Sequence, residues 1–357
     1  MKKLTALGLT LVFLVFGLAA CKKSGASKVN DMLSLIPKDA QGIVVIDVSR
    51  AMTIGLVDKA IKENSGYQKY QEFIKEIGID PQKDIYYAVL GISGLGQLAK
   101  NAGAGVAIIN LKYVKDAVLA KIKKEEPRLA EETYEGTSIL IAKEKAKTEE
   151  KGEQGEKEEK AEQAEKMKQP AICIAFLDES DIAAGTEKEV KAVIDISKKK
   201  ADNVFKNAEL AALIDKANKR AMAWIVMSFP PEMMKQVVAE NPLLSSLENL
   251  KALSIYYDYK NKSFQAEIKG IGGDATKNKQ LADTLTGFKG MGGLAAGGKP
   301  EIGELLNKIE ISSTPDYVKI YADLPEDLMS KITATAEKQV EEKVAQIKGE
   351  EKKEEKK

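Results

Sequence analysis

The 357-residue sequence contains no histidine. That removes the commonest general base, the commonest metal ligand and every triad built on an imidazole. Arginine is confined to Arg50, Arg128 and Arg220, although forked recognition of phosphate or carboxylate normally draws on that residue. An excess of charge of one sign is missing too. The 55 Lys and Arg against 54 Asp and Glu leave a formal charge of +1, which argues against a nucleic-acid binder. What remains is ample apolar material. At 44% hydrophobic residues the chain can build a core, so wholesale disorder is excluded.

Lys2 and Lys3 open the chain with positive charge, and Leu4 to Leu18 is almost wholly apolar. The run is too short for a comfortable membrane span. It closes on Leu18-Ala19-Ala20-Cys21. Charge, apolar run, small residues and cysteine in that order resemble the lipobox of bacterial lipoproteins. The resemblance implies cleavage of residues 1–20, diacylglyceryl transfer to the Cys21 thiol and acylation of the new amine. Two or three acyl chains, at about 0.8 kcal/mol per buried methylene, hold a protein at a membrane where one chain does not. Lys22, not Asp, follows the cysteine. In two-membraned bacteria that points to the outer membrane, with the protein facing the periplasm or the surface. Residues 21–35 then read as the lipidated cysteine and a flexible tether, with Lys22 to Lys28 its polar part. A plain secretory signal with an incidental Cys21 is the alternative.

The second cysteine, Cys173, has no partner once Cys21 is acylated, so no disulfide within the chain is expected. It lies in Ala171-Ile172-Cys173-Ile174-Ala175-Phe176, where a buried inert thiol is the natural reading.

Along the mature chain, β-branched runs predict strands near Gly42–Val48, Ile85–Ile92, Gly105–Leu111, Ser138–Ala142, Ala171–Leu177, Asp181–Gly185, Ala221–Phe229, Leu250–Tyr259, Ser263–Ile271, Ile309–Ser312 and Tyr317–Ala322. Helical spacing appears in Ile54–Ile61, Tyr67–Ile77, Val114–Ile122, Glu187–Ile196, Ala208–Asn218, the segment opened by Pro230-Pro231, Asp274–Phe288 and Glu326–Ile347. The order lacks strict βαβ alternation. It predicts an α+β fold of two related units, each a largely antiparallel sheet with helices packed on one face. The units are expected at 36–218 and 219–348, followed by a charged disordered tail at 349–357. Residues 143–168 are nearly all Lys, Glu, Gln, Ala and Gly and cannot bury enough surface to offset their ordering entropy. They read as a charged low-complexity insertion in the turn of a hairpin, tolerable because closure entropy grows slowly with length. A domain linker is the rival reading.

Ile36-Pro37-Lys38-Asp39-Ala40 before the first strand, Tyr134-Glu135-Gly136, Phe176-Leu177-Asp178 and Gly185-Thr186 loosely resemble a family of exported bacterial proteins of unknown function. That resemblance implies no activity.

Several motifs tempt and fail. Gly293 to Lys299 has the spacing of a phosphate-binding loop, but Pro300 stands where a Ser or Thr must hold magnesium. Gly94-Leu95-Gly96 is followed too soon by Gly103 and Gly105 for a dinucleotide helix. Gly91-Ile92-Ser93-Gly94-Leu95 lacks the last glycine of a nucleophile elbow and any histidine partner. Ser197 and Lys200 have the spacing of a catalytic pair, yet they sit in a lysine run at a helix end. No cofactor, nucleotide or catalytic residue is expected. Asp178, Glu179 and Asp181 in one turn are the only candidates for a weak calcium site, though an acidic turn is usually just solvated. Trp224, Tyr257, Tyr259 and Leu294 are the candidates for a ligand or partner surface, with core packing as the plain alternative.

Three functional readings stand. The first is a lipid-anchored envelope protein that binds or scaffolds other envelope components without catalysis. The second is a carrier or sensor of an apolar or lipid ligand, held between a sheet and a glycine-rich apolar loop at 287–298. The third, weakest, is a glycan hydrolase that uses carboxylates alone. The expected partners are the membrane, through Cys21, and an envelope protein or a lipid.

Overall fold

The computed structural model of the protein describes residues 25–64, 66–95, 104–142, 172–240, 242–295 and 299–336. The signal segment, Cys21, the charged insertion 143–168 and the tail lie outside them. The described residues fall into two compact units, one up to Met233 and one from Met234. Each is α+β, built on an antiparallel sheet.

The first unit contains β1 (Gly42–Asp47), β2 (Ile85–Ser93), β3 (Ala104–Leu111), β4 (Leu129–Tyr134), β5 (Thr137–Ala142), β6 (Ile172–Phe176), β7 (Asp181–Thr186) and β8 (Ala223–Ser228). They lie in the order β8-β1-β2-β3-β7-β6-β5-β4, and every neighbouring pair is antiparallel. The helices are α1 (Gly25–Leu33), α2 (Val48–Ala51), α3 (Gly55–Glu63), α4 (Tyr67–Ile77), α5 (Pro81–Asp84), α6 (Lys115–Glu125), α7 (Glu187–Ser197) and α8 (Ala208–Lys216).

These helices cover both faces of the sheet, not the single face that the sequence suggested. On one face Ala88, Leu140 and Ile182 pack with Val48, Met52, Ile77 and Val118 from the helical side. On the other, α1 lies on β2, α7 on β3, β6 and β7, and α8 on β8. The reason is visible in the strands. Ala88 and Val89 are both buried, as are Ile182 and Ala183, so successive residues pointing to opposite faces are both apolar.

Local chemistry sets the ends of the elements. Thr186 caps α7 by accepting from the Glu189 backbone N–H, and Glu187 and Glu189 place acid in its first turn. Asn207 caps α8 through the Leu210 N–H. Gly78 ends α4 in the left-handed conformation. The β4–β5 turn uses Glu135 at φ 48° and Gly136 at φ 75°, the left-handed pair that matches strand twist.

The tether expected over 21–35 is shorter than the sequence suggested. From Gly25 onward the chain is helical, and Met32, Leu33 and Ile36 are fully buried. Their apolar bulk fixes the segment to the sheet. The unit boundary also differs from the expected 218/219. The strand carrying Trp224 pairs with β1, from Gly42↔Met227 to Ile46↔Ala223, and so belongs to the first unit. The hairpin reading of the insertion agrees with its flanks: Ile139↔Ala175, Leu140↔Ile174 and Ile141↔Cys173 pair antiparallel. Both flanks lie in one unit, which removes the linker reading.

In the second unit β9 (Leu250–Lys260), β10 (Ser263–Gly272), β11 (Ile309–Ser313) and β12 (Tyr317–Pro325) take the order β11-β12-β10-β9. The chain enters through α9 (Pro231–Glu240) and continues through α10 (Ala275–Ala295) and α11 (Pro300–Asn307). A last helix, α12, occupies residues 326–336. Leu281 and Ala282 of α10 pack on Val318, with Leu247, Leu250, Leu285 and Ile311 around them. Among the described residues, four strands against eight mean that the two units are not matched strand for strand.

A Cβ on Gly185 would run into the Gly105 backbone oxygen and would lie 2.9 Å from Val106 Cα. Backbone there has nowhere to go. Gly185→Ala is therefore expected to destabilise the protein by about 1–3 kcal/mol in urea unfolding. Gly287→Ala in α10, where a Cβ meets nothing within 4 Å, should instead stabilise by about 0.5–1 kcal/mol.

Candidate functional site

The residues singled out in the sequence separate into three places. Cys21 lies outside the described residues. The first described helix after it is tied down at its start. Lys28 Nζ lies 2.6 Å from Asp181 Oδ2, and Asn110 Nδ2 donates to Asp181 Oδ1 at 2.7 Å. The Asp181 side chain is 7% exposed, so both contacts act with little solvent screening.

That pairing bears on the acidic turn. Asp178 Oδ1 accepts from the backbone N–H groups of Ser180 and Asp181 and from the Ser180 hydroxyl. This is an Asx-type turn that closes on itself. Asp178 is thus engaged locally and Asp181 is held by Lys28 and Asn110. Among the described residues no three His, Cys, Asp or Glu side chains form a group that would hold a metal ion.

Trp224 is not part of a surface. It is 1% exposed and pairs with Val45 across β1 and β8, beneath α8. Its place on a predicted strand could not say that a helix covers that strand. Cys173 is fully buried and free, and burial pushes its thiol pKa up to about 12. Such a thiol stays protonated and unreactive at neutral pH. Ser197 donates its hydroxyl proton to the Ile194 carbonyl at 2.7 Å, and Lys200 pairs with Glu135. The Ser–Lys pair of the sequence is therefore not assembled.

Tyr257, Tyr259 and Leu294 lie in the second unit. Cross-strand partners share a face, so Tyr257↔Ala266, Ile255↔Ile268, Ile268↔Ile320 and Gly270↔Val318 define one apolar face. α10 covers it around Val318. Tyr257 remains 51% exposed and Ile268 37% exposed. Tyr259 is committed to structure. Its ring lies 4.8 Å from that of Phe264 and its hydroxyl donates to Glu326 Oε2 at 2.6 Å, a bond that raises its pKa. The segment 287–298, expected as a loop, is helical as far as Ala295. Cβ positions on Gly292 and Gly293 would lie 3.8 and 3.9 Å from Leu306 Cδ1, an ordinary contact distance, so α11 packs beside these turns with room for a methyl group. The same turns leave Phe288, Met291 and Leu294 exposed, Leu294 at 87%.

Two concavities mark the first unit, and both are open to solvent. One of about 640 Å³ is lined by Pro37, Ala192, Ile196 and Ala201, with the Lys38–Asp202 ion pair at 3.0 Å on its rim. The other, about 510 Å³, lies along α6 beside Glu131. Neither gathers a nucleophile, a base and an oxyanion donor.

No family model and no curated protein matches the chain. Among solved structures it is similar to crystal form I of TP0453, at 7% identity and a TM-score of 0.41 over 85% of this chain and 96% of that one. Crystal form III of TP0453 gives 8% identity and a TM-score of 0.42, covering 85% and 97%.

Removing the cation from the buried pair should be costly. Lys28→Met is expected to lower unfolding stability by about 1–3 kcal/mol, because it leaves a buried carboxylate short of a partner. Adding Asp181→Asn should recover part of the loss. Cys173 should ignore a thiol reagent in the folded Cys21→Ala protein and react once urea unfolds the chain.

Proposed function

We propose that the protein is a lipid-anchored component of the bacterial cell envelope, held through Cys21, with a binding or scaffolding role and no catalysis. The lipobox Leu18-Ala19-Ala20-Cys21 carries this reading. The short run from Cys21 to α1 supports it, because a folded body begins within a few residues of the acyl site. Among the described residues no helix is long and apolar enough to cross a membrane. The open concavities and the structural engagement of Ser197, Cys173 and Asp181 support a role without chemistry. The outer membrane follows from Lys22 at the position after the cysteine, and the partners are the membrane and another envelope protein.

The test is the intact mass and detergent partition of protein made in a lipoprotein-processing bacterium. The wild type should begin at Cys21, carry acyl mass and enter the detergent phase. Cys21→Ala should remain in the aqueous phase. Equal partition of the two would sink the proposal.

A second reading rests on the second unit. Tyr257, Ile268, Phe288, Met291 and Leu294 expose apolar surface there, which favours capture of an apolar or lipid ligand. Native mass spectrometry of the Cys21→Ala protein should then show a lipid-sized adduct that Leu294→Asp diminishes. A bare chain in both cases would remove this reading.

A further inference from the structure

The first unit has a tip at which four backbone segments are bound together. Lys28 of α1 reaches Asp181 at the start of β7. Asn110 at the end of β3 donates to the same carboxylate and to the Ser180 carbonyl. The Leu111 N–H donates to the Ser180 carbonyl at 2.8 Å, and the Tyr113 hydroxyl donates to the Asp178 carbonyl. The Lys112 N–H donates to the Asp84 carbonyl at 2.6 Å. This network ties the loop Lys112-Tyr113-Val114-Lys115 to the end of the sheet at which α1 starts.

That loop has an unusual surface. Val114 is 67% exposed, although it follows a strand whose last residue is buried. Lys112 and Lys115 on either side of it are exposed, and Tyr113 is half-buried. Lys115 lies over the Phe176 ring at 5.2 Å, and the neighbouring turn exposes Asp178 and Glu179. Val114 and Lys112 are left as the aliphatic and cationic side chains at this tip that suit a bilayer interface. There lysines meet headgroups and amphipathic rings sit at their level.

Covalent geometry sets the distance. Cys21 to Gly25 spans at most about 14 Å of extended chain, and the helix from Gly25 to Lys28 adds roughly 5 Å. An acyl anchor on Cys21 therefore cannot lie more than about 20 Å from Lys28. We infer that the tip formed by Lys112–Lys115 and Asp178–Ser180 is the membrane-proximal end of the first unit, with Val114 touching the phospholipid surface. The inference rests on the lipid-anchor reading of Cys21. It adds an orientation that acylation alone does not supply. The Pro37–Lys38 turn, beyond the other end of α1, faces away from the bilayer.

The experiment uses the acylated protein reconstituted into phosphatidylcholine–phosphatidylglycerol vesicles that carry a nitroxide at the headgroup. A fluorophore is attached at Val114→Cys in one sample and at Lys38→Cys in another. Cys173 is buried and stays unlabelled, and Cys21 is blocked by its thioether. Intact mass first establishes the acyl chains, so loss of the anchor reading is seen separately and takes the orientation with it. With the chains in place, the label at 114 should be quenched at least about twofold more than the label at 38. Equal quenching, or stronger quenching at 38, overturns the orientation. Val114→Asp supplies a second arm. It leaves an exposed position exposed and places a capping carboxylate at the start of α6, so it should weaken quenching of a label at the exposed Glu179→Cys without lowering the urea midpoint. Unchanged quenching would remove Val114 from the contact.

Discussion

Burial of the first sheet on both faces is the constraint from which the rest of that unit follows. The cysteine among the described residues is free, so no disulfide holds those strands, and the described core rests on packing and on backbone pairing. With helices on each side, β2 and β7 must be apolar at consecutive positions, as Ala88–Val89 and Ile182–Ala183 are. The same burial makes polar intrusions selective. Asp181 is admitted because Lys28 and Asn110 satisfy it, and in doing so it fastens α1 to the end of the sheet. A buried carboxylate of this kind adds less net stability than its short contacts suggest. Its clearer effect is to hold α1 against one end of the sheet.

The second unit is built to a looser standard. α10 covers part of an apolar face and leaves Tyr257 and Ile268 in view. Four glycines in the last turns of α10 weaken its intrinsic helicity, and a Cβ would fit at each of them. No close approach accounts for these glycines, and the apolar side chains between them are left on the outside.

The strands were mostly legible, because β-branched runs and turn residues mark them directly. β4 was not expected, nor were the helices α1, α2, α5 and α11. β4 reads Leu-Ala-Glu-Glu-Thr-Tyr, and as an edge strand it carries exposed acids that hide its pairing. The Glu135-Gly136 dipeptide was the available signal of a tight turn to β5. α1 begins with small and polar residues, so composition read it as tether. The spacing of Met32, Leu33 and Ile36 already traced an apolar face. The candidate surface residues divided for a simpler reason. Alternation tells which residues share a face, and it is silent on whether a helix lies over that face. Trp224 fell on a covered face and Tyr257 on one left partly open.

The order in which strands meet has a consequence for how the first unit acquires its structure. β1 pairs with β8 through Gly42↔Met227 and Ile46↔Ala223, and Lys28 and Asp181 stand 153 positions apart. Contacts this distant in the chain must overcome loop closure before they stabilise anything, which slows folding. A chain emerging N-terminus first completes β1 and β2, which pair with each other, long before β8 arrives. The start of α1 is thus among the last segments to be secured, and β1 keeps one edge open until β8 closes it.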